Sequence, residues 1–246
     1  MEDIINQFAT FVIDDEAVII FQSWTRLHLQ TINNLPNTTR RIQQILQKSL
    51  IAPSKEFKDG RTCSSKDEDV IINTLSEMKE RLFIPKSRHW FDLAVFDYRH
   101  GWLPVNIKST TTKSADNIGN LSTCVYALND ENLDLKKSYN NGEMATLLIN
   151  SIQEKKYNTI NKKDYYFVVL NKTTNEIIIN SIKGLEIMTP NINNLPFQIN
   201  WKKNSKFKYQ NTEESMKKFI NCFPCKKTSW KEEFLLNMRS INQRIT

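Results

Sequence analysis

Two stretches of the chain carry nearly unbroken apolar character: Tyr165-Tyr166-Phe167-Val168-Val169-Leu170 and Glu176-Ile177-Ile178-Ile179-Asn180. They flank Asn171-Lys172-Thr173-Thr174-Asn175, whose composition suits a hairpin loop. Continuous rather than alternating apolarity predicts strands buried on both faces. A second hairpin is predicted from Phe91-Asp92-Leu93-Ala94-Val95-Phe96-Asp97-Tyr98 and Leu103-Pro104-Val105-Asn106-Ile107-Lys108, turning at Arg99-His100-Gly101. Elsewhere the period lengthens to three and four. Ile71, Leu75, Met78 and Leu82 place one apolar face on a helix over Lys66–Leu82. Met144, Leu147, Leu148 and Ile152 do the same over Gly142–Lys155. Residues 3–50 read mostly helical, with a short helix starting at Thr39 and capped by Thr38. Thr212–Phe223 and Ser229–Ile241 read as terminal helices.

Between these elements lie segments without clear period. Pro53–Ser65 reads as a polar loop, Lys113–Asn120 as another, and Leu185–Ile199, with two prolines, as irregular. At Lys206-Phe207-Lys208-Tyr209 lysine alternates with aromatic, the pattern of a strand with one wet and one packed face. The resulting fold class is α/β: a central mixed sheet flanked by helices. Its expected divisions are a helical N-terminal region (1–60), a core (61–180) and a basic C-terminal region (181–246), joined as one globular unit.

With 246 residues the chain can bury a sizeable core. There is no GxxxxGK[ST], GxGxxG or GxSxG motif, which argues against nucleotide-binding and serine-hydrolase folds. No apolar run is long enough to span a membrane. The start Met-Glu-Asp-Ile-Ile lacks the basic stretch of a signal peptide, so a cytoplasmic protein is expected. Cys222 and Cys225 have CxxC spacing, but no second ligand pair accompanies them, so reduced cysteines are favoured over zinc. Three histidines, His28, His89 and His100, form no cluster.

Charge is unevenly spread. Residues 1–154 hold 17 basic and 20 acidic side chains, while 155–246 hold 17 and 7, a balance of −3 against +10. Basic density of this kind suits a phosphate backbone. Lys202, Lys203 and Lys206 lie in the densest part.

The 91–108 hairpin carries the candidate chemistry. Side chains two apart on a strand share a face, so Asn106 and Lys108 project together while Ile107 turns away. Pairing of the strands brings Asp92 beside them. An acid, an amide oxygen and an ammonium then meet at one sheet edge.

Asp92, followed on the next strand by Asn106-Ile107-Lys108, resembles the Asp-x(n)-(Asp/Glu)-x-Lys signature of the PD-(D/E)xK nuclease superfamily, which includes most type II restriction endonucleases. The resemblance covers about twenty-five residues, with Ser109-Thr110-Thr111-Thr112-Lys113 continuing it. Asn106 departs from the pattern, standing where the second acid usually is. The resemblance implies a restriction-endonuclease-like core and Mg²⁺-dependent, site-specific hydrolysis of double-stranded DNA to 5′-phosphate ends. It implies Asp92, Asn106 and the Ile107 carbonyl as metal ligands, and Lys108 as the group that positions the attacking water. A glutamate on the preceding helix is also common in the family. Glu68 occupies that place, although acids in a first helical turn also serve the helix dipole. Lys113, Asn117 and Asn120 are expected near DNA. A palindromic site favours a homodimer, although some enzymes of this kind bind as monomers, and a DNA methyltransferase is the expected genetic partner. The competing expectation is a DNA-binding protein in which Asn106 marks lost metal binding.

Overall fold

The computed structural model describes residues 34–49, 51, 60–86, 89–118, 120–129, 132–154, 163–191 and 197–222. The chain divides into two compact units, Met1–Leu35 and Pro36–Thr246. The first, with the helices expected before residue 34, lies almost wholly outside the described residues. So do the helix expected at 229–241 and Cys225.

The second unit is built on strands β1 (Leu82–Phe83), β2 (Leu93–Asp97), β3 (Gly101–Thr110), β4 (Asp116–Ile118), β5 (Tyr166–Asn171), β6 (Ile177–Ser181), β7 (Met188–Pro190) and β8 (Phe197–Ile199). Five of them form a mixed sheet in the order β1-β2-β3-β5-β6. Only the β3–β5 pairing is parallel. The helices are α1 (Asn37–Lys48), α2 (Gly60–Leu75), α3 (Ser122–Leu128), α4 (Asn141–Gln153) and α5 (Thr212–Asn221). This is the mixed α/β architecture that the hydrophobic pattern predicts.

Both predicted hairpins form. Every residue of β5 and β6 is buried, as their unbroken apolar character requires. The β5–β6 turn uses Asn175 at φ 57, a left-handed conformation that asparagine tolerates. The β2–β3 turn ends on Gly101 at φ 73, where a side chain would be strained. The core joins the sheet to α3, α4 and α5 through Phe91, Leu128, Met144, Leu148, Phe167, Trp201 and Phe219. The outer edge of the sheet is not bare, since the Gln43 amide on α1 donates to the Ile177 carbonyl of β6 at 2.8 Å.

Four local expectations are corrected. Helix α2 begins at Gly60, six residues before the predicted start, and ends at Leu75, giving way to a 3-10 turn over Ser76–Arg81. The predicted loop therefore ends earlier, and Leu82 belongs to β1. Helix α1 starts at Asn37, so Thr38 lies inside it. Its opening N–H groups find a partner in Asp97 at the end of β2: Oδ2 accepts from Thr38 N at 3.3 Å and Thr38 Oγ1 at 2.8 Å. The segments expected to be irregular supply a second, three-stranded sheet in the order β4-β8-β7. Finally, 206–209 is not a strand, although Lys206 and Lys208 are exposed and Phe207 and Tyr209 half-buried. Burial alternates there without a ladder.

Candidate active site

Asp92 lies one residue before β2, and the strand register sets it opposite Asn106 on β3. Its backbone N–H donates to the Val105 carbonyl at 3.0 Å. Its Oδ2 accepts from the Ile107 N–H at 2.6 Å. The main chain therefore fixes the carboxylate just before β2 begins, where β3 runs on paired only with β5. In a strand a residue's N–H and C=O point to one edge, so the Ile107 carbonyl faces the same side. Ile107 itself is fully buried, while Asn106 and Lys108 are half-exposed on the other face. The predicted alternation holds.

Lys108 is where several acids meet. Its ammonium lies 3.8 Å from Glu68 Oε1 on α2. It also acts electrostatically on Asp92 and on Asp116 of β4. Burial raises the Asp92 carboxyl above its ordinary range, with Lys108 and the Ile107 N–H opposing. Burial likewise raises Glu68; Lys108 lowers it again, and the charges of Asp92 and Asp69 push it further up. Asp116 is raised by burial against the Trp201 indole, the Thr110 hydroxyl and Lys108. These are carboxylates with too few donors around them.

Asn106 makes the same point without charge. Its Oδ1 is buried and accepts no hydrogen bond among the described residues. Its amide lies beside Tyr165, whose hydroxyl donates to the Trp90 carbonyl at 2.9 Å. Buried polar atoms are rarely left unpaired, and such an orphan is a place where a ligand fits.

Because α2 starts at Gly60, its first turn contains no acid. The helix dipole thus does not explain Glu68, and the side chain meets Lys108 instead. Its neighbour Asp67 goes deeper. It is 1% exposed, bonds Lys172 at 2.8 Å, and accepts from the Ser109 hydroxyl at 2.8 Å. The Ser64 hydroxyl on α2 donates to the Ser109 carbonyl at 3.0 Å. This network pins α2 across β3 and holds Glu68 over Lys108. Asp67 and Asp116 carried no sequence signal of their own, since each depends on a partner more than forty or on a sheet more than eighty residues away.

A cleft of about 110 Å³ opens here, lined among others by Asn106, Lys108, Asn117, Asn120, His89 and Tyr165. The structure thus brings Asn117 and Asn120 to the same cleft as Asn106 and Lys108. Asn120 Oδ1 accepts from the Ser122 N–H at 2.9 Å, at the start of α3. Lys113 is exposed beyond the cleft, and Lys202, Lys203 and Lys206 are exposed on a turn after β8. Both ring nitrogens of His89 are engaged, with Ser138 Oγ at 3.2 Å and the Leu135 carbonyl at 2.9 Å. His100 bonds Asp97 at 2.8 Å within the β2–β3 turn. Cys222 is buried and its thiol pushed up to about 12 by that burial.

Among the described residues no group of three or more His, Cys, Asp or Glu side chains is arranged to hold a metal ion, and none of the helices is long and apolar enough to cross a membrane. No protein-family model, curated protein or solved structure matches the chain.

Proposed function

We propose that this protein is a Mg²⁺-dependent, site-specific deoxyribonuclease of the type II restriction class, with a restriction-endonuclease-like core. The observation that carries the reading is the meeting of Asp92, Asn106, Lys108 and Glu68 over the central strand β3, with the Asn106 Oδ1 buried and without a hydrogen-bond partner among the described residues. The available donors are oxygens: the Asp92 carboxylate, the Asn106 amide and the Ile107 carbonyl. That set fits a hard divalent cation that keeps several waters. An amide in place of an acid gives weaker metal binding than a second carboxylate would. When bound, the ion supplies Lewis-acid polarisation of the phosphate and lowers the pKa of bound water.

The chain's own residues do the rest. Asp92 is fixed by the Ile107 N–H, so it offers its remaining oxygen in one direction. Lys108 orients the attacking water and balances charge developing on the phosphate. Glu68 holds Lys108 in place and accepts a hydrogen bond from water at the cleft. Exposed Lys113, Lys202, Lys203 and Lys206 offer positive charge to the DNA backbone.

The test is incubation of the purified protein with Mg²⁺ and a mixed set of long duplex DNAs. Cleavage to 5′-phosphate ends, abolished in Asp92→Ala, is expected. Intact DNA, or normal cutting by Asp92→Ala, sinks the proposal. Salt-dependent binding without cutting under any divalent metal selects the non-catalytic DNA-binding reading.

A further inference from the structure

The small sheet borders the cleft and presents two opposed amides. Asn117 on β4 pairs directly with Gln198 on β8. Asn117 Oδ1 accepts from Gln198 Nε2 at 2.8 Å and from Asn191 Nδ2 at 2.7 Å. Asn191 is 5% exposed, so its amide braces Asn117 from within. Turning the Asn117 amide over would cost both bonds. The two groups left over are the Asn117 NH₂, a donor, and the Gln198 Oε1, an acceptor; neither has a hydrogen bond among the described residues. Asn117 is exposed and also lines the cleft that holds Asn106 and Lys108.

Resting on the nuclease reading above, we infer that the β4–β8 pair reads an adenine in the major groove. Asn117 donates to adenine N7, and Gln198 accepts from the adenine N6 amino group. A side-by-side donor and acceptor match adenine there. Guanine offers two acceptors in that groove, cytosine only a donor, and thymine an acceptor and a methyl group. The major groove admits β-structure, and β4 is an edge strand of the small sheet, so Asn117 can lead into it. Because Asn117 belongs to both the amide pair and the cleft, the adenine read lies within the recognition site next to the cut. The chemistry also fixes the protective modification. In a base pair, an N6-methyl group replaces the amino hydrogen that faces the major groove, so it removes the donor that Gln198 needs.

The test uses the unaltered protein with Mg²⁺ on duplexes carrying its mapped site, unmodified, with N6-methyladenine, or with 5-methylcytosine. The expected result is a loss of cleavage of about tenfold to a hundredfold from N6-methylation of one adenine, with 5-methylcytosine tolerated away from that adenine. Gln198→Ala is expected to relax the requirement at that adenine. A site without adenine overturns the inference, as does full cleavage with every adenine methylated, or a Gln198→Ala that folds and keeps the adenine requirement. Protein that cuts normally but behaves in those ways leaves the nuclease reading standing. Protein that cuts no DNA removes both.

Discussion

One hairpin holds two aspartates in opposite conditions. Asp97, at the turn end, is surrounded by donors: Thr38 N and Oγ1, the Arg99 and His100 N–H groups, and His100 Nδ1. Burial would raise its carboxyl, but the His100, Thr38 and Arg99 hydrogen bonds outweigh it and hold it at about 2. Asp92, at the open end, has one backbone donor and a raised carboxyl, and it lies opposite Asn106, whose amide oxygen has no hydrogen bond among the described residues. Both sit in the same two strands with the same residue type. The difference is how completely the fold itself satisfies them. A saturated carboxylate ties α1 to the sheet; an unsaturated one stays open among the described residues.

Variants can break or sharpen that contrast. The largest effect is expected at the open end. Asp92→Ala and Lys108→Ala should each lower Mg²⁺-dependent cleavage by about 10²- to 10⁴-fold, measured as initial rates on duplex DNA. A loss smaller than tenfold would make Asp92 no different in kind from Asp97.

Next comes Lys172→Met, which takes the cation away from the buried Asp67 carboxylate. It should cost about 3–5 kcal/mol of stability, read from denaturant unfolding. Losing the pair should also loosen Glu68 over Lys108, so cleavage falls in molecules that remain folded.

Asp97→Ala should cost about 1–3 kcal/mol, from the α1 donors left unsatisfied, and leave the cleavage rate unchanged at temperatures where the protein is folded. The pH dependence has a definite sign. A carboxyl held below its unfolded value stabilises above that value, so the cost of Asp97→Ala should be full above pH 4 and fade as pH falls through about 2.

The smallest effect runs the other way. A carboxyl raised in the folded state destabilises while charged, and that cost disappears as pH falls through its folded value. Asp92→Asn should therefore raise Tm slightly at neutral pH, with the gain vanishing in acid, while abolishing cleavage. A Tm that drops would mean that Asp92 is a structural residue after all.

The sequence made some of this legible and not the rest. The two hairpins were readable because apolar character changes sharply at their ends and strand period alone sets which face Asn106 and Lys108 share. Helix α3 was hidden because all seven of its residues are buried, so it has no polar face to create a period. Strands β4, β7 and β8 have three residues each, too few for alternation to show, and β4 pairs with a partner some eighty residues away. The start of α2 is not legible because Gly60–Ser65 is polar, and a helix starting at Lys66 puts Glu68 in its first turn as a helix-dipole acid. Asp67 shows the same limit: its depth depends on Lys172, from the β5–β6 turn, arriving across β3.

The most direct measurement is a gel of phage-length duplex DNA incubated with Mg²⁺ and either the unaltered protein or Lys108→Ala. The account predicts discrete fragments from the first and intact DNA from the second, with both proteins folded. Intact DNA in both lanes, or the same fragments in both, would contradict it.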